Sequence, residues 1–264
     1  MKIIKITSEN KHLYNEKLMR FEKQFVYELG RIQYEVDHGE DYYAFFEKMG
    51  QLVSYIAMDG DEIAALAVGV LREVELLKNE SPKKVWFIAD LKVAPNYRGQ
   101  RLTHTLIRRA YIDNFAKAQK IYAISINKID KEADHVTQFA PRLPLLPLKV
   151  SSTLFLYLCT YDEMKKLEPV LKEELGLIGY VDIMDRKKLI SKGKAIPIIH
   201  ACYGKDQGAV LEAHKDFMHM FCIPEETALN NKILMLGVNP MATAAALYYG
   251  GGTCDWKFVI SNEI

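Results

Sequence analysis

The sequence predicts an α/β fold, a central mixed sheet flanked by helices, with a C-terminal extension or subdomain. Two observations carry that prediction. A strand-like run, VWFIADLKVAP, passes through the polar turn NYRGQR into a helical pattern, LTHTLIRRAYIDNFAKAQK, and then into a second buried run, IYAISIN. A strand–turn–helix–strand crossover of this kind returns the chain parallel to the strand it left. Ahead of it, QLVSYIAMDGDEIAALAVGVL sets two apolar runs on either side of Asp59-Gly60-Asp61, which signals a hairpin and hence an antiparallel pair.

The remaining elements follow in chain order. MKIIKIT alternates as a first strand, and Asn10 to Leu29 carries Leu13, Leu18, Phe21, Phe25, Val26 and Leu29 as an amphipathic helix stopped by Gly30. A short helix is expected from Tyr42 to Met49, closed by Gly50. After the hairpin, KNESPKK at 78–84 reads as a loop, Trp86 to Pro95 as a strand, Leu102 to Lys120 as a helix and 121–127 as a buried strand. PRLPLLPLKV at 141–150 is broken by prolines, and SSTLFLYLCT at 151–160 resumes as a strand.

Beyond Tyr161 the character changes. A charged helix, YDEMKKLEPVLKEEL, leads to a strand at 196–203, then to a helix around Gly208 to Phe221 and another near Asn239 to Tyr248. Gly250 to Gly252 break the chain before a terminal strand, WKFVISN. The division expected is a domain at 1–160 and an extension of unassigned role at 161–264, built as a subdomain or as a continuation of the first sheet.

Composition narrows the function classes. The chain has 264 residues, of which 49% are hydrophobic and 26% charged, so a packed core rather than disorder is expected. Lys plus Arg total 35 against 34 for Asp plus Glu, a net charge of +1, and no global field favours nucleic acid or an anionic membrane. No apolar run approaches the roughly 18 residues of a membrane-spanning helix, and the apolar part of MKIIKITSENK is short for a signal peptide. A cytoplasmic protein with no membrane partner is expected. Cys159, Cys202, Cys222 and Cys254 are spread over the second half without close pairing and read as reduced thiols.

The stretch IADLKVAPNYRGQRLTHTLI holds the chemistry. Unsatisfied N–H groups at a helix start converge on one point and the helix dipole adds partial positive charge, so an anion can bind there without a dedicated cation. Residues 98–103 would supply those donors. Leu91, Val93, Pro95, Tyr97, Arg98, Gly99, Gln100, Leu102, Leu106 and Ile107 together resemble the acetyl-CoA motif of the GNAT N-acetyltransferase superfamily. As element order, the resemblance extends over roughly residues 1–160. The motif departs from the family pattern at Arg101 and Thr103, where glycine or alanine is usual; Thr103 keeps a hydroxyl that can bond to phosphate, whereas the Arg101 stem either obstructs the phosphate or its guanidinium forks onto it.

What the resemblance implies is a direct attack by an acceptor amine on the thioester of acetyl-CoA, the co-substrate. Arg98, Gly99, Gln100, Arg101, Leu102 and Thr103 would hold the pyrophosphate, Leu91 and Val93 would line the pantetheine arm, and the Val93 N–H would hold the thioester oxygen on a bulged strand. Asp90 is the candidate general base or amine anchor, although an exposed Asp, with a pKa near ~3.9, is a poor base. Asn127 fits the position after the following strand. Phe139 stands where a proton-donating tyrosine would be sought, which leaves His135 as the candidate acid. The Glu-Lys-x-Gly-Phe ending common in the family is absent.

Other groupings weigh less. His200, Cys202, His214, His219 and Cys222 match no closed zinc spacing, so no metal is expected. Gly250-Gly251-Gly252-Thr253 lacks a following Lys-Ser/Thr and reads as a turn. Tyr42, Tyr43, Phe45 and Phe46 fall where the family builds its acceptor-site lid, or else pack a helix. The expected function is N-acetyl transfer to a small-molecule or peptide amine. The alternatives are an acyltransferase drawing on a longer acyl-CoA or an acyl carrier protein, and a non-catalytic binding or regulatory protein. The extension would shape the acceptor site, accommodate a longer acyl chain, or build a homodimer interface.

Overall fold

The computed structural model describes the chain apart from residues 78–79, 129–131, 144 and 204–211. The first half runs β1 (Lys2–Ile6), α1 (Asn15–Glu22), β2 (Tyr27–Leu29), β3 (Ile32–Asp37), α2 (Ala44–Met49), β4 (Gln51–Asp59) and β5 (Glu62–Val74). It continues with β6 (Lys83–Val93), α3 (Leu102–Asn114), β7 (Lys120–Ile126), α4 (His135–Phe139) and β8 (Lys149–Cys159). The second half runs α5 (Tyr161–Leu175), β9 (Ile178–Asp182), β10 (Lys188–Ser191), β11 (Lys194–Ala195) and β12 (Ile198–Tyr203), then β13 (Met218–Pro224), α6 (Ala228–Met235) and β14 (Ala242–Tyr249).

Ten strands form one mixed sheet in the order β1-β4-β5-β6-β7-β14-β8-β13-β12-β9. The expected hairpin is β4–β5, turned at Gly60, and the expected parallel pair is β6–β7 with α3 as the crossover. The sheet is continuous across residue 160. β7 leads through α4 to β8, and β13 leads through α6 to β14, yet β7 pairs with β14 and β13 pairs with β8. The two halves therefore exchange their last strands. The antiparallel-then-parallel series β5–β6–β7 is repeated as β9–β12–β13, which relates the halves by an approximate two-fold passing between β8 and β14.

Three apolar clusters hold the sheet. One, including Phe21, Tyr42, Phe87, Met220 and Trp256, lies on the face shared by both halves. A second packs Leu102, Leu106 and Ile107 of α3 onto the N-terminal strands, and a third packs Met164, Leu167 and Leu171 of α5 onto the C-terminal ones. The helix α5 starts where the sequence places it because Thr160 and Glu163 form a reciprocal cap: the Thr160 hydroxyl accepts from the Glu163 N–H and the Glu163 carboxylate accepts from the Thr160 N–H.

Four expectations are corrected. The helix drawn from Asn10 to Leu29 runs only from Asn15 to Glu22, and Tyr27 onward forms the hairpin β2–β3, in which Tyr27, Leu29, Ile32 and Tyr34 alternate with polar residues. Leu13 and Val26, which the helical pattern needed inside, are each 62% exposed. Gly30 is the turn of this hairpin and not a helix stop: its φ is +58°, and a Cβ there would stand 2.5 Å from the Met241 carbonyl oxygen. The expected helix around Gly208 begins outside the described residues, and its end, from Met218, is the strand β13.

The helix expected near Asn239 to Tyr248 is the strand β14. Its alanines favour helix, but a place between β7 and β8 buries both faces and rewards small side chains, so tertiary context overrides propensity. WKFVISN is not a strand; Trp256 and Val259 are buried in an irregular segment that ends in a 3₁₀ turn at Ser261–Glu263. A second sheet escaped the sequence reading altogether. It has the order β11-β10-β3-β2, and it joins the first-half hairpin to a hairpin from the second half.

Candidate active site

β6 and β7 pair only from Val85 to Ile88 against Lys120 to Ala123. The register between β5 and β6 shifts there: Val68 faces Asp90 and Gly69 faces Ile88, so Ala89 is the extra, bulged residue. Past the bulge the two strands part, and the gap between them opens into a cavity of ≈ 550 Å³. Asp90, Leu91 and Lys92 line it from β6, and Ser125, Ile126 and Asn127 from β7 and its end. The bulge expected near Val93 thus falls four residues earlier; Val93 itself pairs with Ala65 on β5 and lies outside the cavity lining.

The predicted anion turn is built at the start of α3. Gly99 has φ +80° and Arg101 has φ +58°, both left-handed. Arg101 therefore takes up the backbone conformation that a glycine favours, at a cost of roughly 1–2 kcal/mol for a residue with a Cβ. The Arg101 carbonyl accepts the first helical bond, from the Thr105 N–H at 3.1 Å. This places the N–H groups of Leu102, Thr103 and His104 in the first turn, where an α-helix has no partners for them. Thr103 is half-buried, and Arg98, Gly99, Gln100 and Arg101 are exposed.

Asp90 sits at the centre of a buried polar cluster. Tyr42 donates its hydroxyl to Asp90 Oδ2 at 2.7 Å, and Lys92 Nζ stands 2.9 Å from the same oxygen. Lys92 also pairs with Glu22, and Tyr27 donates to Glu22 Oε1 at 2.7 Å. Burial alone would raise Glu22, but His38 and Lys92 hold it down to about 2. Burial, then the charge of Asp90, raises the Tyr42 phenol well above its usual range, so it remains a donor. Lys92 lies over the rings of Tyr27 at 5.2 Å and Phe25 at 5.7 Å, which helps a desolvated ammonium.

The other sequence candidates separate. Asn127 donates its amide to the Thr243 hydroxyl at 3.0 Å and faces the cavity. Phe139 faces it too, where a proton donor was sought. His135 is exposed on the first turn of α4 and does not line the cavity, although Asp134 and Val136 on either side do. Tyr42 and Tyr43 are wholly buried and Phe45 and Phe46 nearly so; Phe45, Phe46 and the hairpin residues Tyr27, Gln33 and Tyr34 form the wall opposite β6. Among the described residues no three His, Cys, Asp or Glu side chains converge as a metal site, and no helix is long and apolar enough to cross a membrane.

Lys187 and Glu263, both from the second half, also reach the cavity. Sequence reasoning missed them because neither lies in a motif. The signal that could have found Lys187 is the short KLIS run that makes β10 just after it, whose register sets Lys188 against Asp37.

Residues 23–140 match the model of the acetyltransferase (GNAT) family. Over 234 residues the chain is 24% identical to uncharacterized protein L340 of Acanthamoeba polyphaga mimivirus, with 85% of this chain and 68% of that protein covered. Among solved structures, a tandem GNAT protein from the clavulanic acid biosynthesis pathway aligns over 95% of this chain and all of its own, with a TM-score of 0.52 and 8% identity. It shares the fold across both halves, at an identity that speaks to fold alone. The aminoglycoside N-acetyltransferase AAC(6')-Iy in complex with CoA aligns over 53% of this chain and 87% of its own, with a TM-score of 0.36 and 15% identity.

Proposed function

We propose, from the match of residues 23–140 to the model of the acetyltransferase (GNAT) family, that the chain moves an acetyl group from acetyl-CoA to an amine by direct attack. The observation that carries the reading is the bulge at Ala89 with the parting of β6 from β7, which leaves strand edges and a cavity between them that α3 reaches at Ile107. The pyrophosphate would rest on the N–H groups at Leu102 to His104, with the Arg98 and Arg101 side chains beside it, and the pantetheine would run along Leu91 towards Asn127. The acetyl group supplied by the co-substrate would then sit near Asp90.

Asp90 already accepts from Tyr42 and pairs with Lys92. Two donors suit it better to anchoring the incoming ammonium, with the proton passed on through water, than to acting as an unencumbered base. Phe139 has no proton to give, so the departing thiolate leaves into the open cleft and is protonated by solvent. The N-terminal 160 residues supply the donor side in this reading. Residues 161–264 complete the sheet and contribute Lys187, Leu247, Glu263 and Ile264 to the cavity wall.

Calorimetric titration with CoA tests the donor side; binding is expected, and none at millimolar ligand would overturn the reading. Asp90→Asn is expected to lower kcat about tenfold or more while CoA affinity holds.

A further inference from the structure

Two polar groups lining the cavity, Lys187 and His38, make no side-chain hydrogen bond among the described residues. Lys187 faces the cavity beside the Phe45 ring, 4.8 Å from its centroid, and forms no salt bridge or side-chain hydrogen bond among the described residues. Burial, then the nearby charge of Lys92, pulls Lys187 down to about 8, and Asp90 and Glu22 only partly offset this. His38, 3% exposed, also lines the cavity, and neither ring nitrogen makes a hydrogen bond; Nε2 stands 3.7 Å from Glu22 Oε2, an ion-pair contact when the ring is protonated, and Nδ1 is left without a partner.

These two groups are neighbours by construction. β10 pairs with β3 so that Lys188 faces Asp37, and the next step outward sets 187 beside 38. The 183–187 turn is held against that loop: a Cβ on Gly39 would lie 3.2 Å from the Asp185 carbonyl oxygen. The carboxylates of Glu22, which lies behind the cavity lining against His38, and of Asp90, which lines it, are both taken up by the one ammonium of Lys92. Among the charged groups lining the cavity, which also include Glu28, Lys128, Asp134 and Glu263, Lys187 offers a cation and Asp90 a carboxylate edge to which an ammonium can add.

Resting on the acetyl-transfer reading above, we propose that the acceptor is an amino-acid-like zwitterion, its carboxylate held by Lys187 and His38 while its amine is presented to Asp90. A single ammonium with one imidazole fits a monoanion better than a phosphate dianion, which would leave charge unmatched in a buried place. The second half of the chain thereby selects the acceptor that the first half acetylates.

The test uses the full chain and proteinogenic amino acids, each compared with its own carboxamide, in calorimetric binding to the CoA-saturated protein and in thiol release from acetyl-CoA. Free carboxylates are expected to bind roughly tenfold or more tightly than the amides, the usual worth of a charge-assisted hydrogen bond. Lys187→Met is expected to erase that preference through KM with CoA affinity unchanged, and Lys187→Arg to restore part of it. Amides that match or exceed the acids, or a preference that survives in Lys187→Met, overturn the acceptor assignment even if acetyl transfer is robust. Absence of CoA binding, with carboxylate binding that still depends on Lys187, instead overturns the acetyl-transfer reading and leaves the anion site standing; absence of both overturns both.

Discussion

Tyr42 and Asp90 share a hydrogen bond of 2.7 Å, with the phenol as donor, and Tyr42 Oη also lies 3.1 Å from Glu22. The tyrosine therefore ties the segment leading into α2 to the strand that carries the bulge. Tyr42→Phe leaves Asp90 with Lys92 alone and removes a donor from a wholly buried place. Stability is expected to fall by about 1–3 kcal/mol, read by urea denaturation. kcat is expected to fall with it, because the Asp90 side chain loses the group that fixes its direction; full activity in a destabilised protein would show that Tyr42 only packs.

Glu22 makes stability depend on acid. Its folded value of about 2 lies below the ~4.3 of an unfolded glutamate because His38 and Lys92 outweigh burial. Folding holds the proton off, so the stabilisation is fully present above the unfolded value and is lost as pH falls towards the folded one. Denaturation midpoints should drop steeply between about pH 5 and pH 2. Glu22→Gln should flatten that slope while lowering stability at neutral pH, since Lys92 then keeps only Asp90. An unchanged slope would assign the acid sensitivity elsewhere.

The strand–turn–helix segment was legible because its signals are local. IADLKVAPNYRGQRLTHTLI holds a strand, a turn and a helix start in one stretch, and Asp59-Gly60-Asp61 fixes a hairpin by itself. The wall opposite β6 was not, because it depends on pairings between distant segments. FVYELGRIQYEV alternates as a strand, but Leu18 and Phe21 upstream extend a helical spacing into it, and only pairing with β10 decides the matter. β14 fails for a related reason: ATAAALYY has helix-forming composition, and nothing near it in the chain reveals that β7 and β8 will enclose it. Lys187 inherits its role from those same long-range pairings.

Arg101 isolates what its backbone and its side chain each contribute. Relief of the left-handed strain in Arg101→Gly gains roughly 1–2 kcal/mol, and the added freedom of the unfolded chain takes back about 0.5–1 kcal/mol. Melting should therefore change little, whereas Arg101→Val, β-branched at φ +58°, should be clearly less stable. CoA affinity is expected to fall roughly tenfold in Arg101→Gly, the loss of one guanidinium–phosphate contact. Tighter binding would show instead that the arginine stem obstructs the turn.

Glu263 locks the end of the second half onto the first. Its Oε2 stands 2.6 Å from Arg72 Nη1 on β5 and accepts from the Tyr122 hydroxyl on β7 at 2.9 Å, with Arg72 also donating to that hydroxyl at 2.6 Å. The Glu263 side chain is 1% exposed and that of Arg72 14%, so neither charge has water to fall back on. Glu263→Ala would strand the Arg72 guanidinium, and a loss of roughly 3–5 kcal/mol is expected. The double variant Arg72→Met with Glu263→Leu removes both charges and should recover much of it. Equal losses in the single and double variants, measured by chemical denaturation, would mean that Glu263 holds the segment by packing and not by its charge.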